Sequence, residues 1–387
     1  MNRVCTVVFM GIALIPSRVE AQISILYEPE VRVSAKAGLE ALYDFRFEEA
    51  DSLFQVISSG YSNHPIGPFL EALTLWWSIL LDLTDTAQDE AFFEAMDKVI
   101  ARSNERLNVD EHDFDAMFFK GIALGFRGRL RSNRRDWIRA ASDGKRAMDY
   151  VLAVANADST NADFVMGRGL YQYYAALIPK RYPVLRPITA FLPPGDRAAG
   201  LVELMRTARD GYYMQTEAMY FLVQINYLYE KNFQASVQQI SWLRDRYPRN
   251  SFFHTLEGRI YAEWHQWQVS DTVFTEILRR YKAREIGYTA AMAEQALYFL
   301  ARSQIVKGDP STALSHLISL EALAARLDTD SYFKVAGRLY QGIAYDLMGE
   351  RDRAVTRYKD VIQMKRWGAS HSNARRYIEN PYPDSER

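Results

Sequence analysis

The chain has 387 residues, with 47 Lys and Arg against 48 Asp and Glu and a formal net charge of −1, a balance that gives no global electrostatic case for nucleic acid. Aromatic residues make up 13% of it, which points to a well-filled core rather than a disordered chain. The length suits two domains or one extended repeat array.

Met1-Asn2-Arg3 is a short basic start, Val4 to Ile15 is an apolar run too short to span a bilayer, and Pro16 breaks it. Small residues follow at Val19-Glu20-Ala21. This order of regions predicts a secretory signal peptide over residues 1–21, cut after Ala21, and an exported protein of the periplasm or cell envelope. The one cysteine, Cys5, lies inside that segment, so the mature chain is expected to have no disulfide, no zinc-thiolate site and no cysteine nucleophile. No later apolar run reaches membrane-spanning length.

From there on, apolar residues recur at three- and four-residue spacing, without strict alternation bounded by hairpin turns, so the chain reads as all-α. Gly38, Ala50, Phe54 and Ile57 open a pattern whose clearest copies lie further on. Between Pro65 and Ala157 long helices are expected through Trp76 and Trp77, through Phe92 and Phe93, from Phe114 to Leu130 and from Asp136 to Val154. The acidic run Asp110-Glu111-His112-Asp113 suits a helix start, where carboxylates meet unpaired amides. One histidine among carboxylates lacks repeated ligand spacing, so no metal site is assigned.

Arg127, Arg131, Arg134 and Arg135 fall on one helical face of the main local charge cluster. They are candidates for meeting an anionic membrane surface or the acidic segment of a partner. The alternative is a face neutralised by acids elsewhere in the fold.

The stretch from Phe164 to Leu201 begins as a helix with small residues set among large ones. It then meets Pro179, Pro183, Pro187, Pro193 and Pro194, which a continuous helix cannot absorb. Asp196 is placed as the N-cap of the next helix. Gly167-Arg168-Gly169 lacks a third glycine and a preceding strand, so close helix packing is expected there, not a phosphate cradle. Tyr171, Tyr173 and Tyr174 spread over more than one side of their helix, so at least one should be exposed or at an interface.

Further on, Tyr227 and Tyr261, Ser236 and Ser270, Ile240 and Phe274, and Leu243 and Ile277 are each thirty-four residues apart, the tetratricopeptide period. In this pattern small residues such as Gly258 and Ser270 lie where two antiparallel helices cross. Large ones such as Tyr261 and Phe274 fill the holes, and Pro248 ends the second helix. Ala301, Gly308, Ala313 and Leu317 fit loosely, and Gly342, Tyr345, Gly349, Ala354 and Tyr358 fit best. His254 and His265 fall within one repeat and are candidates for lining a groove. The expected organisation is a tetratricopeptide-like α-solenoid with an N-terminal helical array over 22–178, a proline-rich joint over 179–196, a C-terminal array over 197–366 and a tail over 367–387.

At GLYQYYAALIPK followed by LPPGDRAAGLVEL, the chain resembles the family of tetratricopeptide-repeat protein 39 and the fungal outer-membrane inclusion-body-clearance protein, in its secreted bacterial relatives. The residues concerned are Gly169, Tyr171, Tyr173 and Tyr174, a helix end at Pro179, and Gly200-Leu201 after a Gly-Asp-Arg turn. Ala72, Leu73, Trp76, Trp77 and the block from Gly121 to Gly144 extend the likeness. The resemblance implies an α-solenoid with no catalytic residues. In the eukaryotic members it suggests a link to lipid stores and organelle membranes.

No HExxH, GxSxG or Walker motif occurs, and no cofactor is expected. The expected function is a non-enzymatic exported scaffold binding a protein or peptide on the concave side of the solenoid. The alternative is a carrier that takes an acyl chain or binds an anionic membrane surface. A continuous apolar tunnel would favour the carrier and an open polar-aromatic groove the scaffold.

Overall fold

The computed structural model describes residues 24–183, 186, 193–325 and 330–383. The expected signal peptide lies outside the described residues, as does Pro187. Among the described residues seventeen α-helices follow one another. The first group is α1 (Pro29–Tyr43), α2 (Phe47–Gly60), α3 (Ile66–Ile79), α4 (Asp89–Val109), α5 (Phe114–Asn133), α6 (Trp137–Ala157) and α7 (Met166–Arg181). The second is α8 (Arg197–Asp210), α9 (Gln215–Gln224, continued by a π-helical turn over Ile225–Glu230), α10 (Phe233–Arg246), α11 (Ser251–Glu263), α12 (Trp267–Lys282), α13 (Ala290–Val306), α14 (Pro310–Ala324), α15 (Tyr332–Leu347), α16 (Arg351–Gln363) and α17 (Ser370–Glu379).

Six connections between paired helices turn on one residue with positive φ: Phe45, Arg135, Lys231, His265, Gly308 and Gly349. In all six the next N–H returns to the preceding helix, and in five of them it reaches five residues back, as in Gln266 to the Tyr261 carbonyl (2.8 Å) and Glu350 to the Tyr345 carbonyl (2.9 Å). This is a Schellman closure, normally a glycine's position. Because Arg135 stands where glycine would announce the turn, α5 and α6, both expected as helices from the sequence, carry no turn signature of a repeat pair although they are built like one.

Each regular pair is also closed by a small residue facing a large one. A Cβ on Gly258 would lie 2.8 Å from Phe274 Cζ, and the same clash recurs between Gly38 and Phe54 and between Gly342 and Tyr358. Ala301 and Leu317 meet the pattern with a methyl in place of the hydrogen, both fully buried. Gly258→Leu is therefore expected to destabilise by about 1–3 kcal/mol, since Phe274 has no room to retreat. A chemical-denaturation midpoint equal to wild type would show that this crossing is not tight.

The joint between α7 and α8 is tighter still. A Cβ on Gly200 would sit 2.6 Å from both the Gly169 carbonyl oxygen and the Tyr173 amide nitrogen, so the two backbones touch. Asp196 caps α8 as expected, accepting from the Ala198 and Ala199 amides at 2.9 and 3.0 Å. The helix expected to end at Pro179 runs on to Arg181. So near a C-terminus a proline forfeits one backbone bond in a turn that is already half-satisfied.

The chain then curls back on itself. In a solenoid the first helices of successive pairs line the inner face, and in the second half that face is not empty. Trp77 on α3 packs against Tyr220 on α9 and against Phe252 and Phe253 on α11, with ring centroids 5.4–6.2 Å apart. The end of α1 is pinned beside them: Asn250 donates its amide to the Tyr43 carbonyl (2.7 Å), the Arg249 N–H reaches Asp44 (3.0 Å), and Arg246 pairs with Glu40 (2.7 Å). One hydrophobic core thus runs from Ile25 through Trp76 and Trp77 to Ile260.

Candidate functional site

The arginine cluster is largely a paired structure. Arg127 is only 8% exposed; its guanidinium forks onto Asp143 and also meets Asp97. Arg131 shares Asp143, and Arg134 holds Asp89 together with the carbonyls of Leu83 and Asp85. The exposed basic face is thus corrected to one neutralised by Asp89, Asp97 and Asp143. The pairing was in reach of the sequence, because Arg127 and Asp143 stand at the same offset as Gly258 and Phe274 across a paired crossing. Arg135 differs: it is exposed, and its guanidinium lies 5.4 Å over the ring of Trp367 near the far end of the chain.

Among the tyrosines, Tyr173 is fully buried and donates its hydroxyl to Glu230, while Tyr171 reaches the Pro193 carbonyl and Tyr174 stacks edge-on against Tyr173 and Tyr229. Tyr171 and Tyr174 are half-buried. They secure the joint rather than gather into a pocket. Gly167 packs on Val151 and Gly169 on α8, as close helix packing requires. His254 is buried against the Tyr288 hydroxyl at 3.0 Å and His265 is exposed in a turn, so the two line no common groove. Among the described residues no three His, Cys, Asp or Glu side chains gather at metal-binding distance. Asp113 caps α5 through the Ala116 amide at 2.8 Å.

Beyond Trp77 the inner face of the second half carries a patch that sequence reasoning missed. On α11, Arg259 lies over Tyr227 at 5.9 Å, and Lys231 approaches the same ring at 5.8 Å. One turn on, Glu263 meets Arg302 of α13 at 3.4 Å, and the Arg302 guanidinium rests among Trp267, Tyr298 and Phe299 at 5.5–5.7 Å. Burial alone would lower the Arg302 pKa, but Tyr340, Tyr298 and Glu263 outweigh it and hold the charge firmly in place. Arg259 makes no ion pair among the described residues and is half-buried. The visible signal was the Arg-x-x-x-Glu spacing of Arg259 and Glu263 on one helical face. On the side of the N-terminal helices the patch is closed by Arg129, which donates to the Tyr220 hydroxyl (3.1 Å) and stacks on Trp76, Tyr220 and Phe221.

Behind Arg129, Glu217 is buried beside the donors of Trp77 and Tyr43, with neither carboxyl oxygen completing a well-formed hydrogen bond among the described residues. Burial pushes its pKa up to about 7 against the pull of Arg129, Trp77 and Tyr43. Beside it an apolar cavity of about 40 Å³ is lined by Leu39, Leu70, Leu73, Phe119 and Phe126 among others. A single water needs roughly 10–15 Å³ on that measure, so the space is too small for an acyl chain.

Antiparallel helix pairs that repeat a glycine-to-aromatic crossing and a Schellman turn along the chain define a tetratricopeptide-like α-solenoid. No family model and no curated protein matches the chain. Solved structures are similar at low identity, three of them as follows. Yeast Tom70 aligns at 14% identity over 91% of this chain and 82% of its own, with a TM-score of 0.43. A Rap protein complexed with Competence and Sporulation Factor aligns at 13% over 90% and 78%, TM-score 0.37, and the TPR domain of P58(IPK) at 14% over 90% and 96%, TM-score 0.25.

Proposed function

We propose that this protein is an exported, non-enzymatic tetratricopeptide-repeat scaffold of the cell envelope. It captures an acidic segment of a protein partner on the inner face of its second half. The observation that carries the reading is the cationic-aromatic patch of Lys231, Arg259 and Arg302 on Tyr227, Tyr298 and Trp267. Guanidinium groups already seated on rings are pre-ordered, so little rotamer entropy remains to be lost when a carboxylate arrives. Arg135 on Trp367 would extend the same surface. Arg127, Arg131 and Arg134 act by holding helices together. Export, two arrays meeting over residues 179–196, and kinship with the secreted relatives of tetratricopeptide-repeat protein 39 belong to the same proposal. The acyl-carrier reading gains no support from a 40 Å³ cavity.

The test is an affinity capture from the protein's own envelope fraction, with lipid and protein both analysed, comparing wild type with an Arg259→Glu, Arg302→Glu variant. The proposal expects a protein partner retained by wild type and lost from the variant. An unchanged set of captured proteins would contradict it.

A further inference from the structure

A second cavity lies away from that patch, where the start of α1, the connection from α6 to α7 and the connection from α8 to α9 converge. It measures about 300 Å³, at the lower end of the range of small-molecule pockets, and its wall is mixed: Arg32 and Arg206, the acids Asp163 and Asp210, and the rings of Tyr27 and Phe164 among others. Two guanidinium groups face it without a carboxylate partner. The Arg32 guanidinium lies over the Tyr212 ring, 4.0 Å from its centroid, and makes no ion pair among the described residues. Arg206 donates only to carbonyls, those of Ser159 (2.8 Å) and Thr160.

The acids nearby are already engaged. Asp163 is buried and uses its carboxyl to accept from the backbone amides of Tyr212, Tyr213 and Met214 at 2.9–3.2 Å. Asp210 pairs with Arg209 on the surface at 2.8 Å. Lys36, also near the Tyr212 ring, shares Glu40 (3.1 Å) with Arg246. Two guanidinium groups and two carboxylates thus line the cavity, but the Arg32 guanidinium has neither a carboxylate nor a carbonyl acceptor among the described residues, in a setting that also holds the rings of Tyr27 and Phe164 and the amide of Asn161, which donates to the Tyr27 hydroxyl at 3.0 Å.

We infer that this cavity is a binding site for a small organic carboxylate bearing an aromatic ring. Arg32 offers its planar fork of N–H donors to the carboxylate, a bidentate match that an isolated ammonium cannot make. Contact with the Tyr212 ring helps to hold that fork in place, and the rings of Tyr27 and Phe164 take up the flat apolar part. None of these residues belongs to the inner-face patch, so the inference stands apart from the scaffold proposal.

The experiment titrates the purified full chain with phenylacetate, inorganic phosphate and phenethylamine by calorimetry and repeats the titration with Arg32→Gln and Arg32→Lys. Saturable phenylacetate binding is expected, with phenethylamine silent and phosphate much weaker. Arg32→Gln should weaken phenylacetate by roughly tenfold or more, the loss of a charge-assisted bond, and Arg32→Lys should recover only part of it. Phenethylamine or phosphate binding as tightly as phenylacetate would overturn the inference without any variant. So would absence of saturation, or equal affinity in wild type and Arg32→Gln.

Discussion

Trp77→Ala should lower the stability of the whole described fold by about 3–5 kcal/mol, the range for truncating a fully buried aromatic. The side chain is 0% exposed and touches both halves: Tyr43 and Phe45 from the first, Tyr220, Phe252 and Phe253 from the second. Edge-to-face pairs add to the area term. Because one core spans the two halves, equilibrium denaturation followed by circular dichroism is expected to move as a single transition in the variant. If instead two transitions appeared and only the first moved, the halves would be independent and Trp77 would not bridge them.

Glu217 makes the second large effect, one that depends on pH. Its folded pKa of about 7 stands above an unfolded value of 4.5, so between those two values the native state holds more protons than the unfolded state. Stability from this group is therefore complete below pH 4.5 and is lost as pH rises through 7. The loss totals about 3 kcal/mol, since a tenfold change in proton affinity between the two states corresponds to roughly 1.36 kcal/mol. Glu217→Gln removes the titration, and the variant should be more stable than wild type at pH 8 and close to it at pH 4.5. His254, held neutral by burial with its pKa lowered to about 3, acts with the opposite sign below pH 6.5. The difference between variant and wild type, rather than either curve alone, isolates Glu217. A difference that did not change from pH 4.5 to pH 8 would mean that the carboxylate is solvated or paired in the native state.

The repeats were legible because their cause is local. A glycine must face the ring of Phe54, Phe274 or Tyr358 at a crossing, and residue spacing records that directly. The Asp196 cap and the packing role of Gly167 and Gly169 were legible for the same reason. What one sequence did not reveal was where the arrays lie relative to each other. Packing Trp77 on Phe253 joins residues far apart in the chain, and no periodicity encodes it. The basic cluster stayed open for a related reason: like charge on one helix is compatible with an exposed face or with one neutralised from elsewhere, and the acids that decide it, Asp89, Asp97 and Asp143, sit on α4 and α6. The inner-face patch was missed because Arg259, Arg302 and Tyr227 are ordinary singly and meet only when three repeats stack.

That stacking is what the account depends on most: the N-terminal helices occupy part of the inner face of the second half and bring Arg135 onto Trp367. The direct test is a spin-label distance measurement between Arg135→Cys and Arg366→Cys, both exposed positions, in a chain with Cys5 replaced by serine. A single short and narrow distance is the predicted result. A long or broad distribution would place the N-terminal helices outside the curve and contradict the account.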